Sequence, residues 1–330
     1  MRCYSLGIYS LATLLTTLNL SYKAVANPIT GKLPQSTQIN TQKIAQTLPN
    51  PNAPNEIPDF PPVEETPPLT ESEIQAELGE IEIIQPQIKQ PPQRKQPTGQ
   101  LLLRSSAFTS SNITSLENLR EDDTIFVNSA TFLVTPKLGE KTRLIATAGG
   151  GFARFATEGD SNYNFANFSV GVQQKIAKKM YAQLGWGQDI IYRDDDGDRV
   201  LLDDSVRLVV GRQDQLDRKL RLDSFYELRG SFTNPDEQSR VANTLGTRLR
   251  YDISPELQGS LSYRLSFQDF TQQSRFDTRH QLGLQAVYSI NQDLFVGGSA
   301  SYLFGSSSGS DIDLDNFSIG INVGLNVPLF

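Results

Sequence analysis

The end of the chain has apolar and polar residues in strict alternation. From Phe317 to Leu329 the odd positions are all apolar, and the even positions from Asn316 to Pro328 are Asn, Ser, Gly or Pro. Side chains alternate between the two faces of a strand, so the stretch predicts one apolar face and one small, polar face. It is longer than the usual strand of about 5–6 residues. It is long enough to cross a bilayer at a tilt, which takes roughly 9–11 residues.

The same alternation recurs from Gln100 onward and predicts twelve strands. It is clearest in the second half of the chain, for example around Leu245, Leu261 and Leu284. Leu101–Leu103 and Ile125–Val127 are continuously apolar, so the faces of the first two strands stay unassigned. The predicted strands lie at 100–109, 123–135, 142–156, 163–176, 179–192, 199–212, 218–232, 240–253, 256–269, 276–290, 293–305 and 315–329.

The predicted connections alternate between tight turns and longer loops. Ala177–Lys179 and Gln213–Asp217 are two of the tight turns, whereas Ser110–Asp122 is a long loop. An even number of long strands, with short turns at one end and long loops at the other, is typical of a closed up-and-down antiparallel transmembrane β-barrel. The alternative is a soluble β-sandwich, which would leave these apolar faces as large exposed patches.

The residues before the strands divide into two segments. Residues 1–26 have a basic residue, an apolar stretch and the small residues Ala24 and Ala26, which predicts a signal peptide. Residues 27–98 contain fourteen of the 18 prolines and a single aromatic residue, Phe60. Such a composition cannot bury enough apolar area to form a core, so we expect a disordered, Pro-rich periplasmic linker. The barrel is then predicted at 99–330.

One part of the linker has a helical pattern. Thr70 and Glu73 form a capping box, Ile74, Leu78 and Ile81 follow at helical spacing, and Pro86 ends the run. We expect a short acidic helix at 71–84, either as a marginal helix in the linker or as a plug that complements a basic lumen.

Composition restricts the chemistry. The chain has one cysteine, Cys3 in the predicted signal peptide, and one histidine, His280. This excludes multi-histidine and thiolate metal sites, and we expect no metal, no cofactor and no enzymatic activity. The formal net charge of −7 argues against general nucleic-acid binding. Two acidic loop stretches, Asp194–Asp198 and Asp311–Asp315, indicate solvated turns more than calcium sites.

The C-terminus resembles the assembly signal of Gram-negative outer-membrane β-barrel proteins. The resemblance rests on Asn322, Gly324, Val327 and Leu329, with Phe330 one residue past the motif and out of phase with the apolar face. It implies an outer-membrane location and recognition by the barrel-assembly machinery. The Pro-rich segment followed by the stretch Gln96–Leu103 also resembles a set of uncharacterised cyanobacterial outer-membrane barrels. This likeness covers roughly residues 97–330. That second likeness implies location and fold and no known activity.

The polar faces of the strands carry charge that would face the lumen. The functional hypothesis is a narrow pore for small, and by preference anionic, solutes. A salt-bridged and largely blocked interior is the competing interpretation of the same residues. The alternative function is a structural or autotransporter-like display barrel, whose Pro-rich segment binds the cell wall or a periplasmic partner. The candidate lumen residues are Arg207, Arg221, Arg229, Arg248, Arg250 and Arg264.

Overall fold

The computed structural model describes residues 98–113, 115 and 121–330. Nearly all of them are in strands. The predictions for the signal peptide, the linker up to residue 97 and the helix at 71–84 lie outside the described residues. The strands are β1 (Gly99–Ser110), β2 (Asp123–Val134), β3 (Thr142–Phe155), β4 (Tyr163–Ala177), β5 (Met180–Arg193), β6 (Arg199–Asp217), β7 (Leu220–Asn234), β8 (Arg240–Asp252), β9 (Leu257–Phe270), β10 (Arg275–Ser289), β11 (Leu294–Ser307) and β12 (Asn316–Pro328).

The twelve strands form a closed ring. Each strand pairs with its neighbours in the chain, and β1 pairs antiparallel with β12, with Ser106 opposite Asn322. The predicted fold class and strand number are therefore confirmed. Closure leaves no unpaired strand edge, which is the condition for a sheet to lie in lipid. Among the described residues, no helix is long and apolar enough to cross a membrane.

Strand bounds agree with the predicted ones within two residues at either end, except for β6. That strand was predicted to end at 212, but it continues to Asp217, and only Arg218 and Lys219 remain between β6 and β7. Gln213, predicted as part of a tight turn, pairs with Asp223 of β7 instead. Polar residues in this stretch were misread as a turn, because an interior face near the end of a barrel strand is polar as well.

The outward face of the barrel is an apolar belt. Large apolar side chains are exposed on every strand, including Phe232 at 67%, Leu284 at 59% and Ile321 at 70%. A continuous apolar surface of this size is far larger than the few hundred Å² that water-exposed proteins tolerate. The wall is therefore built to face lipid.

The interior is filled differently at its two ends. We call the end with the short connections, where β1 starts, the turn end, and the other the loop end. At the loop end, buried apolar side chains on the inward faces of β2–β6 form a cluster that includes Ile125, Tyr163, Phe165 and Leu201. Phe108 of β1 and Val127 of β2 pack against it. A smaller buried cluster of Tyr181, Val209 and Phe225 lies on the interior faces of β5–β7.

This apolar cluster explains why the face of β2 was not assignable, whereas the ambiguous run on β1 lies at the turn end. The register with β12 places Arg104 opposite Gly324, and β2 follows with Ser129 opposite Arg104. Even positions of β1 and odd positions of β2 therefore face the interior. On β2 the inward Ile125 and Val127 flank the outward Phe126 at the loop end, and on β1 the inward Leu102 lies between the outward Leu101 and Leu103 at the turn end. Both faces are therefore apolar in these two stretches, and alternation disappears.

The C-terminal residue has a defined place. The Phe330 carbonyl accepts a hydrogen bond of 2.9 Å from the Gly99 N–H, and the Leu329 N–H donates one of 2.9 Å to the Gly99 carbonyl. The Phe330 ring lies 6.5 Å from the ring of Phe132 on β2, and it occupies the space that a Cβ at Gly99 would need. Phe330 therefore extends the seam between β12 and β1 beyond the last strand residue.

Candidate functional site

The interior-facing charged residues of β6–β10 form one side of the lumen, which we call the arginine wall. Alternation and register place all six predicted arginines at interior-facing positions of this wall. Their role in solute passage stays a prediction. Three groups of charges on the wall share one arrangement, in which a single aspartate contacts two arginines.

The first group lies nearest the turn end. Asp223 of β7 is 1% exposed, and its Oδ2 lies 2.6 Å from Nη2 of Arg250 and 3.9 Å from Nε of Arg248 on β8. Arg250 Nε also donates a hydrogen bond of 2.8 Å to the same oxygen. The register places Asp223 directly opposite Arg248, so the pairing of β7 with β8 brings these side chains into contact.

The second group lies closer to the loop end. Asp203 of β6 is buried, and its Oδ2 lies 3.1 Å from Nη2 of Arg229 and 3.9 Å from Nη2 of Arg240. A second carboxylate, Asp189 of β5, lies 3.5 Å from the same nitrogen of Arg229. Arg229 is thereby held by two carboxylates, and Arg240 is bound more loosely.

The third group lies on β10 at the loop end. Oδ2 of the fully buried Asp277 lies 2.6 Å from Nη2 of Arg275 and 2.9 Å from Nη2 of Arg279. Ser307 of β11 donates a further hydrogen bond of 2.7 Å to Oδ1. The three residues stand at alternate positions of one strand, so their side chains share the interior face.

Sharing one carboxylate between two guanidinium groups has an electrostatic consequence. An arginine stays charged under any physiological condition, so the groups around Asp223 and Asp277 keep surplus positive charge, whereas Asp189 balances the group around Asp203. The same excess holds for the interior as a whole. Interior-facing basic residues on the described strands are Arg104, Arg143, Lys175, Arg193, Arg207, Arg221, Arg229, Arg240, Arg248, Arg250, Arg264, Arg275 and Arg279, and the acidic ones are Asp123, Asp189, Asp203, Asp223, Glu227, Asp252 and Asp277.

The remaining three predicted arginines are held more weakly. Arg207 lies 3.8 Å from Glu227, beyond hydrogen-bonding distance, and Arg221 donates a long bond of 3.4 Å to Gln215. Arg264 of β9 has its guanidinium carbon 5.8 Å from the centre of the Phe225 ring. Its Nη1 is buried and makes no hydrogen bond with any residue that the structure describes.

The opposite side of the lumen is lined by small residues of β11, β12 and β1–β3, and we call it the small-residue wall. Ser301 and Ser318 share a hydrogen bond of 2.8 Å across β11 and β12. Arg104 of β1 is a basic residue on this wall. Its Nη2 donates a hydrogen bond of 2.7 Å to Asn326, and its guanidinium carbon lies 4.9 Å from the centre of the Phe295 ring on β11. Other interior-facing members are Ser106, Ser129, Gly149, Gly151, Gly297, Ser299, Gly320 and Asn322.

Aromatic side chains in the interior lie over glycines of the adjacent strand. Phe225 is directly opposite Gly246, and Phe295 is directly opposite Gly324. In each pair the ring occupies the space that a Cβ would need. The two rings that lie on these glycines are the same ones that support Arg264 and Arg104. Gly324 therefore has a packing role in addition to its place in the predicted assembly signal.

Sequence reasoning did not identify Asp189, Asp277 or Arg275 as interior groups. Arg275, Asp277 and Arg279 had a usable signal, because alternate charged residues on one strand must share a face. Asp189 had no such signal in the sequence, because it lies opposite Asp203 only through the register between β5 and β6.

The single histidine lies on the outward face. Nδ1 of His280 is 2.8 Å from the hydroxyl of Tyr263, and its ring stacks on Phe304 at 4.9 Å. These residues belong to a band of aromatic side chains on β9–β11, as found at membrane interfaces. Among the described residues, no group of three or more His, Cys, Asp or Glu side chains is placed to hold a metal ion.

Comparisons with known proteins give a family match over part of the chain. Residues 228–327, from within β7 to β12, match the family described as "Putative beta-barrel porin 2". That stretch is less than a third of the chain. A search of curated protein sequences found no match.

Several solved structures have similar barrels at low identity. An outer membrane channel from Pseudomonas putida F1 is 11% identical, with a TM-score of 0.46, over 69% of this chain and 94% of that one. The β domain of the Bordetella autotransporter BrkA is 16% identical, with a TM-score of 0.44, over 68% and 98%. The porin KdgM, in complex with disordered oligogalacturonate, is 9% identical, with a TM-score of 0.40, over 69% and 99%.

Proposed function

We propose that this chain is an outer-membrane barrel that forms a narrow pore and favours small anions. The observation that carries the proposal is the arginine wall, where Asp223, Asp203 and Asp277 are each shared by two arginines. Surplus fixed positive charge in a confined lumen raises the local concentration of anions and repels cations. The partial match to a porin family supports the same conclusion.

The dimensions of the fold favour a narrow path. A twelve-stranded barrel lies between those filled by their own side chains and the wide porins of 16–18 strands. Here the arginine wall projects long side chains, whereas the small-residue wall projects glycine, serine and asparagine. The open path therefore runs between them, with small hydroxyl and amide groups on one side and guanidinium groups on the other. An anion in this path exchanges part of its water shell for these donors.

Current across a planar bilayer tests the proposal. The purified full chain, in a gradient of KCl, is expected to give stepwise conductance. Its reversal potential should lie closer to the equilibrium potential of chloride than to that of potassium. Arg221→Glu should shift that potential toward potassium, since Arg221 faces the lumen and contacts Gln215 but no described carboxylate. Arg218→Glu, in the exposed turn next to it, makes the same change of charge outside the lumen and should shift it less.

The absence of conductance would contradict the pore. If neither the full chain nor a chain without residues 27–97 conducts, the structural or display function becomes the better explanation. The structural or display function gives the interior charges no role, whereas in a pore they determine which ions pass.

We propose further that the membrane location and assembly follow the pattern of outer-membrane barrels. The apolar belt faces outer-membrane lipid, the predicted linker lies in the periplasm, and the C-terminal residues from Asn322 to Phe330 are recognised by the assembly machinery. The contrast within that motif supports this, since Asn322 and Gly324 face the lumen while Val323 is exposed on the belt. Replacing Val327 and Leu329 with serine should lower the amount of barrel in the outer-membrane fraction.

A further inference from the structure

We infer that Arg264 and Phe225 form a carboxylate-binding subsite partway along the lumen. The inference rests on the proposed pore and names the ligand chemistry that one of its positions selects. It separates Arg264 from the other arginines of the wall, which the sequence alone had treated as equivalent.

Arg264 differs in its partners from the arginines of the wall that aspartates bind. Arg229, Arg250, Arg275 and Arg279 each lie within 3.1 Å of an aspartate oxygen. Arg264 makes no ion pair with any carboxylate that the structure describes, and its buried Nη1 makes no hydrogen bond there. A guanidinium group has five N–H donors, so this side chain retains donors for an anion.

The position of Arg264 is fixed by its surroundings. The Phe225 ring packs with Tyr181 and Val209 in a buried cluster, and it lies over Gly246, which is opposite Arg264 in the register. A cation within about 6 Å of a ring centre is attracted to the face of that ring. The Cζ-to-centroid distance of 5.8 Å satisfies this condition. The ring therefore supports the guanidinium without using its donors.

The neighbours of Arg264 leave room on the lumen side. On β9 it is flanked at interior positions by Ser262 and Ser266, and on β10 it faces Gln281, with Gly283 next on the same face. None of these carries charge, and Glu227 of β7 attracts Arg264 only from beyond ion-pair distance. The residue is half-buried on this interior face, and its Nη1 is buried. Small neutral neighbours allow a solute to approach the donors directly.

This geometry favours a planar carboxylate. A guanidinium group binds both oxygens of a carboxylate through two parallel N–H···O bonds, whereas lysine acts as a point charge. A solute with one carboxylate would therefore pause at Arg264, and a halide would pass with weaker attraction. The subsite adds selectivity among anions to the general preference for negative charge.

Benzoate is the probe for the test, with two independent readouts on the full chain. One is the benzoate concentration that halves the chloride current in a planar bilayer. The other is the rise in the thermal unfolding midpoint of the detergent-solubilised barrel when benzoate is added, which requires binding and not conduction. Arg264→Gln should raise the half-blocking concentration about tenfold or more, since charge-assisted bonds of this kind are lost. It should also abolish most of the thermal shift.

Three variants separate the subsite from general charge effects. Arg264→Lys keeps the charge, so the preference for chloride over potassium should stay while the benzoate block weakens. Phe225→Leu removes the supporting ring and should weaken the block without changing net charge. Arg250→Gln makes the same charge change as Arg264→Gln at an arginine that Asp223 already binds, and it should alter the block by less than about threefold.

The outcomes distinguish the subsite from the pore. A chloride-selective current whose benzoate block is unchanged by Arg264→Gln would overturn the subsite and leave the pore intact. An equal loss of block in Arg250→Gln would also overturn it, because bulk charge would then explain the effect. If no current is seen, the thermal shift still decides the subsite, and its absence in the unmodified chain would overturn the inference.

Discussion

The arginine wall and the small-residue wall belong to one continuous sheet, but their interior faces are built in opposite ways. On β6–β10, long charged side chains meet in groups, with Asp223, Asp203 and Asp277 each between two arginines. On β11, β12 and β1–β3, glycine and serine predominate, and hydrogen bonds such as that between Ser301 and Ser318 are short and neutral. The long charged side chains are thus concentrated on one side of the lumen, whereas the other side carries small residues and, at the loop end, the apolar residues Phe108, Ile125 and Val127.

The comparison also separates stability from selectivity. An arginine bound by a buried carboxylate contributes to the architecture of the wall, and its removal leaves a charge without its partner. An arginine without such a partner contributes mainly to the field that a solute meets. The expected effects of substitutions on the two walls follow from this distinction.

The largest effect is expected where one carboxylate holds two strands together. Asp223→Ala leaves Arg248 and Arg250 without the oxygen that they share, and breaking a buried pair of this kind costs about 3–5 kcal/mol. Unfolding of the detergent-solubilised barrel, followed by the fluorescence of the single tryptophan, Trp186, measures the change. Asp214→Asn is the matched control, since Asp214 pairs with Arg212 and Lys179 at the exposed turn end, where pairs contribute about 0–1 kcal/mol. Equal destabilisation by both variants would show that the grouped charges have no special structural role.

A second effect is expected at the aromatic rings that lie over glycines. Gly246→Leu places a side chain where the Phe225 ring now lies, and overpacking of this kind costs about 1–3 kcal/mol. The variant should show a lower unfolding midpoint and a weaker benzoate block, because Phe225 can no longer support Arg264. Gly230→Leu is the control, since a Cβ at Gly230 of β7 meets no atom within 4 Å. A variant at Gly246 that matches the control in stability would contradict the packing described for Phe225.

A smaller effect is expected at the seam between β12 and β1. Deleting Phe330 removes its ring contact with Phe132 and one hydrogen bond to Gly99, which together contribute on the order of 1–2 kcal/mol. The truncated chain should still form a barrel, but with a lower thermal midpoint in gel-mobility assays. Leu138→Ala, at an exposed apolar residue of the turn between β2 and β3, serves as the comparison. No change on deletion would show that the last strand closes the barrel without this residue.

The smallest expected effect concerns the predicted acidic helix at 71–84, outside the described residues. If that segment enters the basic turn end as a plug, its deletion should raise the open fraction of the conductance without changing ion preference. A deletion of equal length at 27–40, which removes no acidic residue, is the control. Identical records from both chains would contradict the plug and leave the segment as part of a linker.

Alternation alone determined most of the architecture in advance. The twelve strands, their bounds and the inward phase of β7–β10 follow from residues such as Leu245 and Arg248, because a two-residue period sorts side chains between lipid and lumen. The pattern failed on β1 and β2 for a physical reason, since Leu102 at the turn end and Ile125 and Val127 at the loop end place apolar side chains on the interior face as well. It also failed at Gln213–Asp217, where a polar interior strand resembles a turn.

The pairing inside the lumen could not be predicted in the same way. Whether Arg264 or Arg250 meets Asp223 depends on the register across β7, β8 and β9, which a single residue can shift. The same is true of Phe225 over Gly246, where the glycine has no meaning until its partner strand is known. Local sequence thus specifies which residues face inward, and the closure of the sheet specifies which of them meet.

The reversal potential of the full chain in a planar bilayer, under a gradient of KCl, tests the central claim most directly. The arginine wall predicts a potential toward the chloride equilibrium value, which moves toward potassium as arginines are removed and is screened at high salt. A potential on the potassium side, or a barrel that inserts and carries no current, would contradict the account.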